Sequence, residues 1–181
     1  MDRISILDIG CGDMQLAEGI LQELPDVTLT CIDIHPLPDV FQELPRWSKY
    51  HQFDGRHIPF KPSQFDAALF SDVLHHDQDG MRELLSEAAR VARYIIVKDH
   101  FEYSIFSRWI LKILDFVGNW GYGIKLPRTY FRQEEFNALC SELGLKLIYL
   151  RHGIDLYAHL PIANRIINPE LQFIALLQSI K

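Results

Sequence analysis

The spacing of apolar residues changes at a glycine turn close to the start of the chain. Residues 4–9 are mostly apolar and include Asp8, and they run directly into Gly10 and Gly12. Beyond the turn, apolar side chains recur at helical spacing: Met14, Leu16, Ala17, Ile20, Leu21 and Leu24. This pattern predicts a buried strand, a tight turn that lets backbone approach a ligand closely, and an amphipathic helix whose N-terminal amides point at the same place.

Strand-like and helical patterns then alternate along the chain. Further strands are predicted over 27–32, 49–53, 65–71 and 94–98, and a helix begins at Met81 with apolar positions 84, 85, 88, 89 and 92. Such alternation predicts an α/β fold with a parallel sheet, which binds ligands beyond the carboxyl ends of its strands. After a short helix around 136–143, the segments 145–151 and 171–178 follow each other without a crossover helix, so we expect an antiparallel hairpin.

Residues 101–130 interrupt this alternation. Large apolar residues occupy one face of a predicted helix, at 105, 106, 109, 110, 113, 114 and 117, and Arg108, Lys112 and Asp115 occupy the other. A glycine- and aromatic-rich segment follows at 118–123, and irregular stretches are predicted at 36–47 and 155–169. A helix this apolar is expected to pack against another surface. That surface is the sheet, a second subunit in a homodimer, or a hydrophobic substrate that the helix encloses as a lid. Two basic residues are too few to favour a membrane surface.

Composition limits the class of protein. The chain has 181 residues, of which 48% are hydrophobic and 23% charged, and this suits a single domain over 1–181. A formal charge of −6 disfavours nucleic acid as a partner. Three cysteines without a CxxC pair predict neither a disulfide nor a zinc knuckle. We find no signal peptide or membrane-spanning run, and we expect a cytoplasmic protein.

Acidic residues stand at the ends of several predicted strands. Asp33 ends the second strand and trails Gly12 by about the 20 residues at which a carboxylate accepts hydrogen bonds from ribose hydroxyls in doubly wound sheets. Asp54 ends the third strand, where it could accept from an adenine amino group while Gly55 lets backbone close in. Read singly, each is also an ordinary turn residue. Their common register favours a nucleotide-type cofactor site.

Together these segments resemble the class I S-adenosylmethionine-dependent methyltransferases. The resemblance covers the first hundred residues and is carried by 7–13, Asp33, 53–55 with 58–60, 65–76 and 94–98. It implies a Rossmann-like, doubly wound, mostly parallel seven-stranded sheet that closes with an antiparallel hairpin. It also implies a substrate or lid insertion at about 101–130. One departure is Met14, because the family usually has glycine there; the larger side chain either narrows the turn or starts the helix one residue early.

The resemblance also implies the cofactor, S-adenosylmethionine, and its binding residues. Asp8, Gly10 and Gly12 lie under the amino-acid end, Asp33 holds the ribose, and Asp54 meets the adenine; Ile34, Gly55 and Ser71 complete the set. Residues 71–76 flank the transferred methyl group. A sulfonium zwitterion needs carboxylates and backbone groups without a phosphate cradle, which agrees with the residues present.

The chemistry of transfer requires positioning, and a base only where the acceptor carries a proton. His75, His76 and His100 at strand ends are the predicted bases, although each is equally typical of a packing residue. His75, His76, Asp77 and Asp79 could be read as a metal site, but adjacent histidines are expected to point apart, so no metal is predicted.

We therefore expect a methyltransferase that acts on a small, hydrophobic or lipid-like acceptor, and we expect several side chains of the aromatic stretch Trp109 to Tyr130 to line its pocket. The missing DPPY or NPPY signature after the fourth strand argues, by resemblance, against exocyclic amines of nucleobases. Two alternatives stay open. One is a non-catalytic cofactor-binding or scaffolding domain of the same fold. The other is a nicotinamide-dependent oxidoreductase, which Gln15 disfavours because it stands where the dinucleotide motif needs glycine.

Overall fold

The structure, a computed structural model, describes residues 3–36, 49–118, 126–156 and 167–180. The glycine- and aromatic-rich segment 118–123 and the two predicted irregular stretches fall largely outside these ranges. No helix among the described residues has both the length and the apolar composition to cross a bilayer.

Seven strands and four α-helices make up the described fold. The strands are β1 (Ile4–Ile9), β2 (Val27–Asp33), β3 (Tyr50–Gln52), β4 (Phe65–Ser71), β5 (Ala92–His100), β6 (Leu145–His152) and β7 (Gln172–Ser179). The helices are α1 (Gln15–Glu23), α2 (Met81–Val91), α3 (Ile105–Gly118) and α4 (Gln133–Glu142). Short 3-10 turns lie at Leu74–His76 and Pro169–Leu171.

All seven strands belong to one sheet, in the order β3-β2-β1-β4-β5-β7-β6. The first five are parallel to their neighbours, whereas β7 is antiparallel to both β5 and β6. This confirms the predicted Rossmann-like sheet with its closing antiparallel hairpin. The strand order reverses direction beside β1, so the carboxyl ends of β1 and β4 flank the crevice in which such sheets bind ligands.

Apolar side chains cover both faces of the sheet. The larger cluster joins α2 and α4 to β1, β4, β5 and β7, and it contains stacked rings of Phe101 and Phe173 whose centroids are 3.9 Å apart. A smaller cluster packs α1 on β1 and β2 through Ala17 and Leu29. The three cysteines are buried and unpaired, in agreement with their predicted use as small core residues.

Helix α3 presents its apolar face to solvent. The exposed residues include Phe106 (74%) and Trp109 (62%), together with Ile105, Ile113, Phe116 and Val117. Its inward residues are Ser107, Leu111 and Asp115, all buried. The face opposite the apolar stripe, which carries Asp115, is therefore the buried one. Of the three covers that the sequence left open, the sheet does not cover the exposed part of the stripe. The buried carboxylate of Asp115 requires a partner, and His75 at the edge of the sheet provides it.

The start of α3 is held by a buried glutamate directly after β5. Glu102 accepts hydrogen bonds from Arg108 at 2.6 and 2.7 Å and from the Tyr130 backbone N–H at 3.2 Å. Burial works against its charge, yet Arg108 and this backbone bond lower the pKa of the Glu102 carboxyl. The polar contacts of Glu102, and not burial of the apolar stripe, therefore orient α3.

Met14 adopts a left-handed backbone conformation, with φ of 61°, immediately before α1. The helix begins at Gln15, so the residue does not extend it. The side chain is buried in the smaller apolar cluster, beside α1, and does not fill the glycine turn. The left-handed conformation costs a side-chain-bearing residue roughly 1–2 kcal/mol, which explains why glycine is usual here. Burial of the thioether chain offsets that cost by roughly 1.5–3 kcal/mol.

We predict that Met14→Gly destabilises the protein by about 1–2 kcal/mol, because lost burial outweighs relieved backbone strain. Urea unfolding followed by circular dichroism measures the change. Met14→Leu keeps both the strain and the burial and serves as the control, with a change below about 1.5 kcal/mol. A more stable Met14→Gly variant would mean that strain dominates.

Candidate functional site

The turn after β1 uses glycine at two positions of left-handed backbone. Gly10 and Gly12 have φ of 74° and 53°, values that suit glycine. A Cβ placed on Gly10 would also lie 2.5 Å from Cγ2 of Val73, which follows β4. The N–H of Gly10 donates to Ile32 O at 2.8 Å and so ties the turn to β2. The ends of three strands meet at this point.

Two carboxylates lie beside this turn. Asp33 accepts from the Gly12 N–H at 2.9 Å through Oδ2 and from the His35 N–H at 3.0 Å through Oδ1. Asp8 is almost fully buried, and its Oδ2 has no hydrogen-bond partner among the described residues. Burial and the nearby Asp33 raise the pKa of Asp8 to about 7. A cation placed here would stabilise the ionised form of Asp8.

The tips of β2 and β3 bring Ile34 against Gly55. A Cβ on Gly55 would lie 3.0 Å from Ile34 Cγ2, and the Ile34 side chain is half exposed, so glycine permits this close approach. Asp54 is exposed and accepts from the backbone N–H groups of Arg56 at 2.8 Å and His57 at 2.7 Å. These bonds lower the pKa of Asp54 to about 2, so it stays ionised. Both backbone bonds go to Oδ1, and Oδ2 lies 3.0 Å from His57 Nδ1, so both oxygens are already engaged.

A second polar group follows β4. Ser71 ends the strand half-buried, and Asp72 comes next with φ of 57°. The Asp72 carboxylate pairs with the Lys98 ammonium and lies 3.3 Å from His100 Nε2. The positive charge of Lys98 therefore neutralises the negative charge of Asp72 where β4 and β5 end.

His75 lies at the centre of a buried cluster that joins β5 and α3. Its Nδ1 bonds to Asp99 Oδ1 at 2.6 Å, and its Nε2 lies 3.3 Å from Asp115 Oδ2. The Tyr130 hydroxyl donates to Asp115 Oδ2 at 2.5 Å. The His76 ring lies next to that of His75, with centroids 4.0 Å apart.

The carboxylates around His75 decide its charge. Burial disfavours the imidazolium, but Asp99 and Asp115 overcome that effect and raise the pKa of His75 to about 10. Burial would raise the pKa of both acids, and His75 instead lowers them. Burial and then Asp115 raise the pKa of Tyr130, so its hydroxyl stays protonated. A permanently protonated His75 is poorly suited to accept a proton.

The other two predicted bases have different surroundings. Burial lowers the pKa of His100 despite Asp72 and Asp99, and its Nδ1 makes no hydrogen bond within the described part of the chain. His76 is only half-buried. Neutral His100 therefore has a free acceptor atom, while His76 has access to solvent.

A cavity of about 220 Å³ opens beside His75. It is lined by His75, Gln78, Met81, Thr129, Tyr130, Phe131 and Glu135. Gln78 donates to the carbonyl and hydroxyl oxygens of Thr129 at 2.7 Å and closes one side. The volume is below the roughly 300–1,000 Å³ of drug-sized ligand sites, so it suits a small molecule or one end of a longer one.

Sequence reasoning missed several members of this site. Asp72 and Asp99 stand at strand ends, and that position was a usable signal. Asp115 was placed only on the face opposite the apolar stripe, and Tyr130 was predicted only as the end of the aromatic stretch. These two approach His75 only through tertiary structure. Of the aromatic stretch expected to line a pocket, Tyr130 does so, while Trp109 and Phe116 lie on the solvent side.

Comparison with known proteins agrees with this geometry. Residues 7–94 match the family model described as a methyltransferase domain. No curated protein matches the sequence. A solved S-adenosylmethionine-dependent methyltransferase from Methanosarcina mazei is 18% identical, with 99% of this chain and 93% of that chain covered and a TM-score of 0.70. One from Aquifex aeolicus is 12% identical over 98% and 82%, with a TM-score of 0.65.

The same fold also supports other chemistry. The [4+2]-cyclase SpnF is 16% identical, with 98% of this chain and 74% of that chain covered and a TM-score of 0.66. At these sequence identities, structural similarity shows a shared fold and does not by itself show a shared activity. The family assignment comes from the matched segment 7–94, which contains the glycine turn and the ends of β1, β2 and β4. The matched segment and the shared fold support a class I S-adenosylmethionine-dependent methyltransferase, with S-adenosylmethionine as the cofactor.

Proposed function

We propose that the protein transfers a methyl group from S-adenosylmethionine to a small, hydrophobic or lipid-like acceptor. The observation that carries this proposal is the cavity beside His75. Met81, Tyr130 and Phe131 give it an apolar lining, and Gln78 and Glu135 supply a few polar groups. Its volume admits a small acceptor, or the polar end of a lipid-like one whose remainder stays outside.

The cofactor would lie across the carboxyl ends of β1 and β2. Asp8, Gly10 and Gly12 are proposed to bind the amino-acid end, Asp33 the ribose, and Asp54 the adenine. Ile34 and Gly55 would contact the adenine face, and Ser71 the methionine side. Support comes from the half-exposed Ile34 side chain beside Gly55 and from Asp8, a buried acid whose charge the cationic cofactor would balance.

We assign different roles to the three histidines. His76 and His100 are the proposed bases for an acceptor that carries a proton. His76 has access to solvent. Nε2 of His100 lies 3.3 Å from Asp72 and 3.8 Å from Asp115, but its Nδ1 makes no hydrogen bond among the described residues. His75 is proposed to act as a positioning residue, because both of its nitrogens face acids. Methyl transfer then needs the acceptor atom in line with the sulfonium, and His75 helps to fix the cavity wall that directs it.

We further propose a homodimer formed through the exposed face of α3, within the 101–130 insertion of a single methyltransferase domain. An apolar helix face of this size marks an interaction surface. An anionic membrane is a poor occupant: the net charge is −6, and Arg108 is already paired with Glu102, which leaves Lys112 beside the stripe. A second copy would bury both stripes without adding charge.

A non-catalytic role on the same fold is the competing function. It is favoured by the strained Met14, which departs from the usual glycine. A nicotinamide cofactor is the lesser alternative, because Gln15 replaces the motif's glycine.

S-adenosylmethionine should bind more tightly as pH rises from about 6 to about 8. Binding favours ionised Asp8, whose pKa is raised to about 7, so at lower pH a proton must leave first. The affinity should fall by up to tenfold per pH unit below that value. Calorimetry at several pH values measures this.

Asp8→Asn should bind weakly at every pH and lose the pH dependence, while Asp26→Asn, a change in an exposed turn, should match wild type. Absence of binding at millimolar cofactor would refute the enzyme. Tighter binding of a nicotinamide nucleotide would support the oxidoreductase instead. Cofactor binding with no methylation of any acceptor would favour the non-catalytic role.

Alkaline pH should weaken the fold through His75. Its folded pKa lies above the unfolded value of 6.5, so its contribution is complete below about pH 6.5 and is lost as pH rises through about 10. The unfolding free energy of wild type should fall relative to His75→Asn across this window, by on the order of 3 kcal/mol. Urea unfolding in buffer containing a chelator measures the difference.

The control for this experiment is His57→Asn. Asp54 also raises the pKa of His57, but that pair is exposed and screened by solvent, so its removal should leave the pH dependence unchanged. Equal pH profiles for wild type and His75→Asn would contradict the charged state assigned to His75.

The dimer should dissociate when a charge enters the apolar stripe. Trp109→Glu should convert a dimer into a monomer in analytical ultracentrifugation at micromolar concentrations, because a buried unpaired carboxylate opposes association. Ile148→Glu, on β6, carries the same change at an exposed position elsewhere and should remain dimeric. A monomeric wild-type protein would refute the dimer and would leave the proposed methyl transfer untouched.

A further inference from the structure

Three potential metal ligands converge next to the cavity. His75 and His76 are consecutive in the 3-10 turn after β4, and Asp115 reaches them from α3. One ligand atom from each residue lies within 4.8 Å of those from the other two. Two imidazoles and one carboxylate are a donor set that binds divalent ions such as Zn²⁺ and Fe²⁺.

The hydrogen bonds around the three residues leave a ligand atom available on His75. Nδ1 is taken by Asp99 at 2.6 Å, an arrangement that in metal sites fixes the ring and makes the other nitrogen a better ligand. Nε2 is fully buried, lies 3.3 Å from Asp115 Oδ2 and makes no hydrogen bond in the part of the chain that the structure describes. In the metal-free protein this nitrogen carries a proton, and a bound metal ion would replace that proton. Tyr130 orients Asp115 in the same manner, through its hydroxyl.

The local charge also favours a divalent ion. Asp99 and Asp115 are both buried, and the one imidazole between them carries at most a single positive charge. Lys98 does not supply the second, since it is paired with Asp72. A buried excess negative charge costs several kcal/mol. A divalent ion would remove that excess.

We propose that His75 Nε2, His76 and a carboxylate oxygen of Asp115 bind a divalent transition-metal ion of the Zn²⁺ class. Sequence reasoning excluded a metal because neighbouring histidines were expected to diverge. In the 3-10 turn their rings instead lie side by side, and the third ligand comes from α3, which the sequence does not place nearby. Three protein ligands leave an open position for water, as in catalytic zinc sites.

Metal binding is tested on the full-length protein after removal of metal with a chelator. Competition with a chromophoric chelator should show one equivalent of Zn²⁺ bound, and Co²⁺ should give the visible absorption of a low-coordinate site. His76→Ala and Asp115→Asn should each weaken Zn²⁺ binding by at least about tenfold. His57→Ala, which removes an exposed histidine elsewhere, should bind as wild type does.

These metal-binding measurements contain no S-adenosylmethionine, so their outcome is independent of the tests of methyl transfer. Failure to bind Zn²⁺ or Co²⁺ at micromolar concentrations would overturn the proposal. So would one equivalent that survives both ligand substitutions, since the ion would then occupy surface histidines. Circular dichroism establishes that each variant is folded. If Asp115→Asn unfolds, His76→Ala and His76→Gln decide, because His76 is half-buried and the change is small.

Discussion

The fold depends on charge balance at the end of the parallel sheet. His75 lies between Asp99 of β5 and Asp115 of α3, and it bonds or approaches each within 3.3 Å. Breaking a buried pair by removing one partner costs about 3–5 kcal/mol. This cluster therefore fixes three elements at once: the turn after β4, the end of β5, and the helix that crosses the sheet edge.

The orientation of α3 follows from this requirement. A helix with one apolar face is expected to bury it, but Asp115 and Ser107 are buried here and Trp109 is exposed. The polar anchor at Glu102 and Arg108 holds the other end of the same inward face. The apolar stripe is thereby displayed, and a surface that would otherwise be core becomes available to a partner.

The fold could be predicted from sequence because its signals are local. The change from strand to helix spacing located β1, α1 and β4, and the missing crossover helix before the last strand indicated the antiparallel hairpin. The helical pattern in α3 was also read correctly as a helix. The pattern does not give its direction of burial, because periodicity identifies the apolar face without saying which face lies inside.

The candidate site divides in the same way. Asp8, Gly10 and Asp33 were predictable, since strand ends and glycine turns define the crevice of a doubly wound sheet. Asp115 and Tyr130 were not, because their roles arise from contacts with His75 between segments far apart in sequence. Met14 likewise shows that a residue with a side chain can follow the glycine turn in a left-handed conformation. The free energy gained by burying that side chain offsets the cost of the backbone conformation.

The contact of Val73 with Gly10 links the two halves of the site mechanically. The valine methyl groups occupy the space that a Cβ on Gly10 would need, so the floor beneath one half is built by a residue of the other. Val73 is also two residues before His75, in the segment that ends at the cavity. Movement of that segment would be transmitted to the glycine turn as a steric push. Val73 thus lies between the glycine turn and the segment that carries His75.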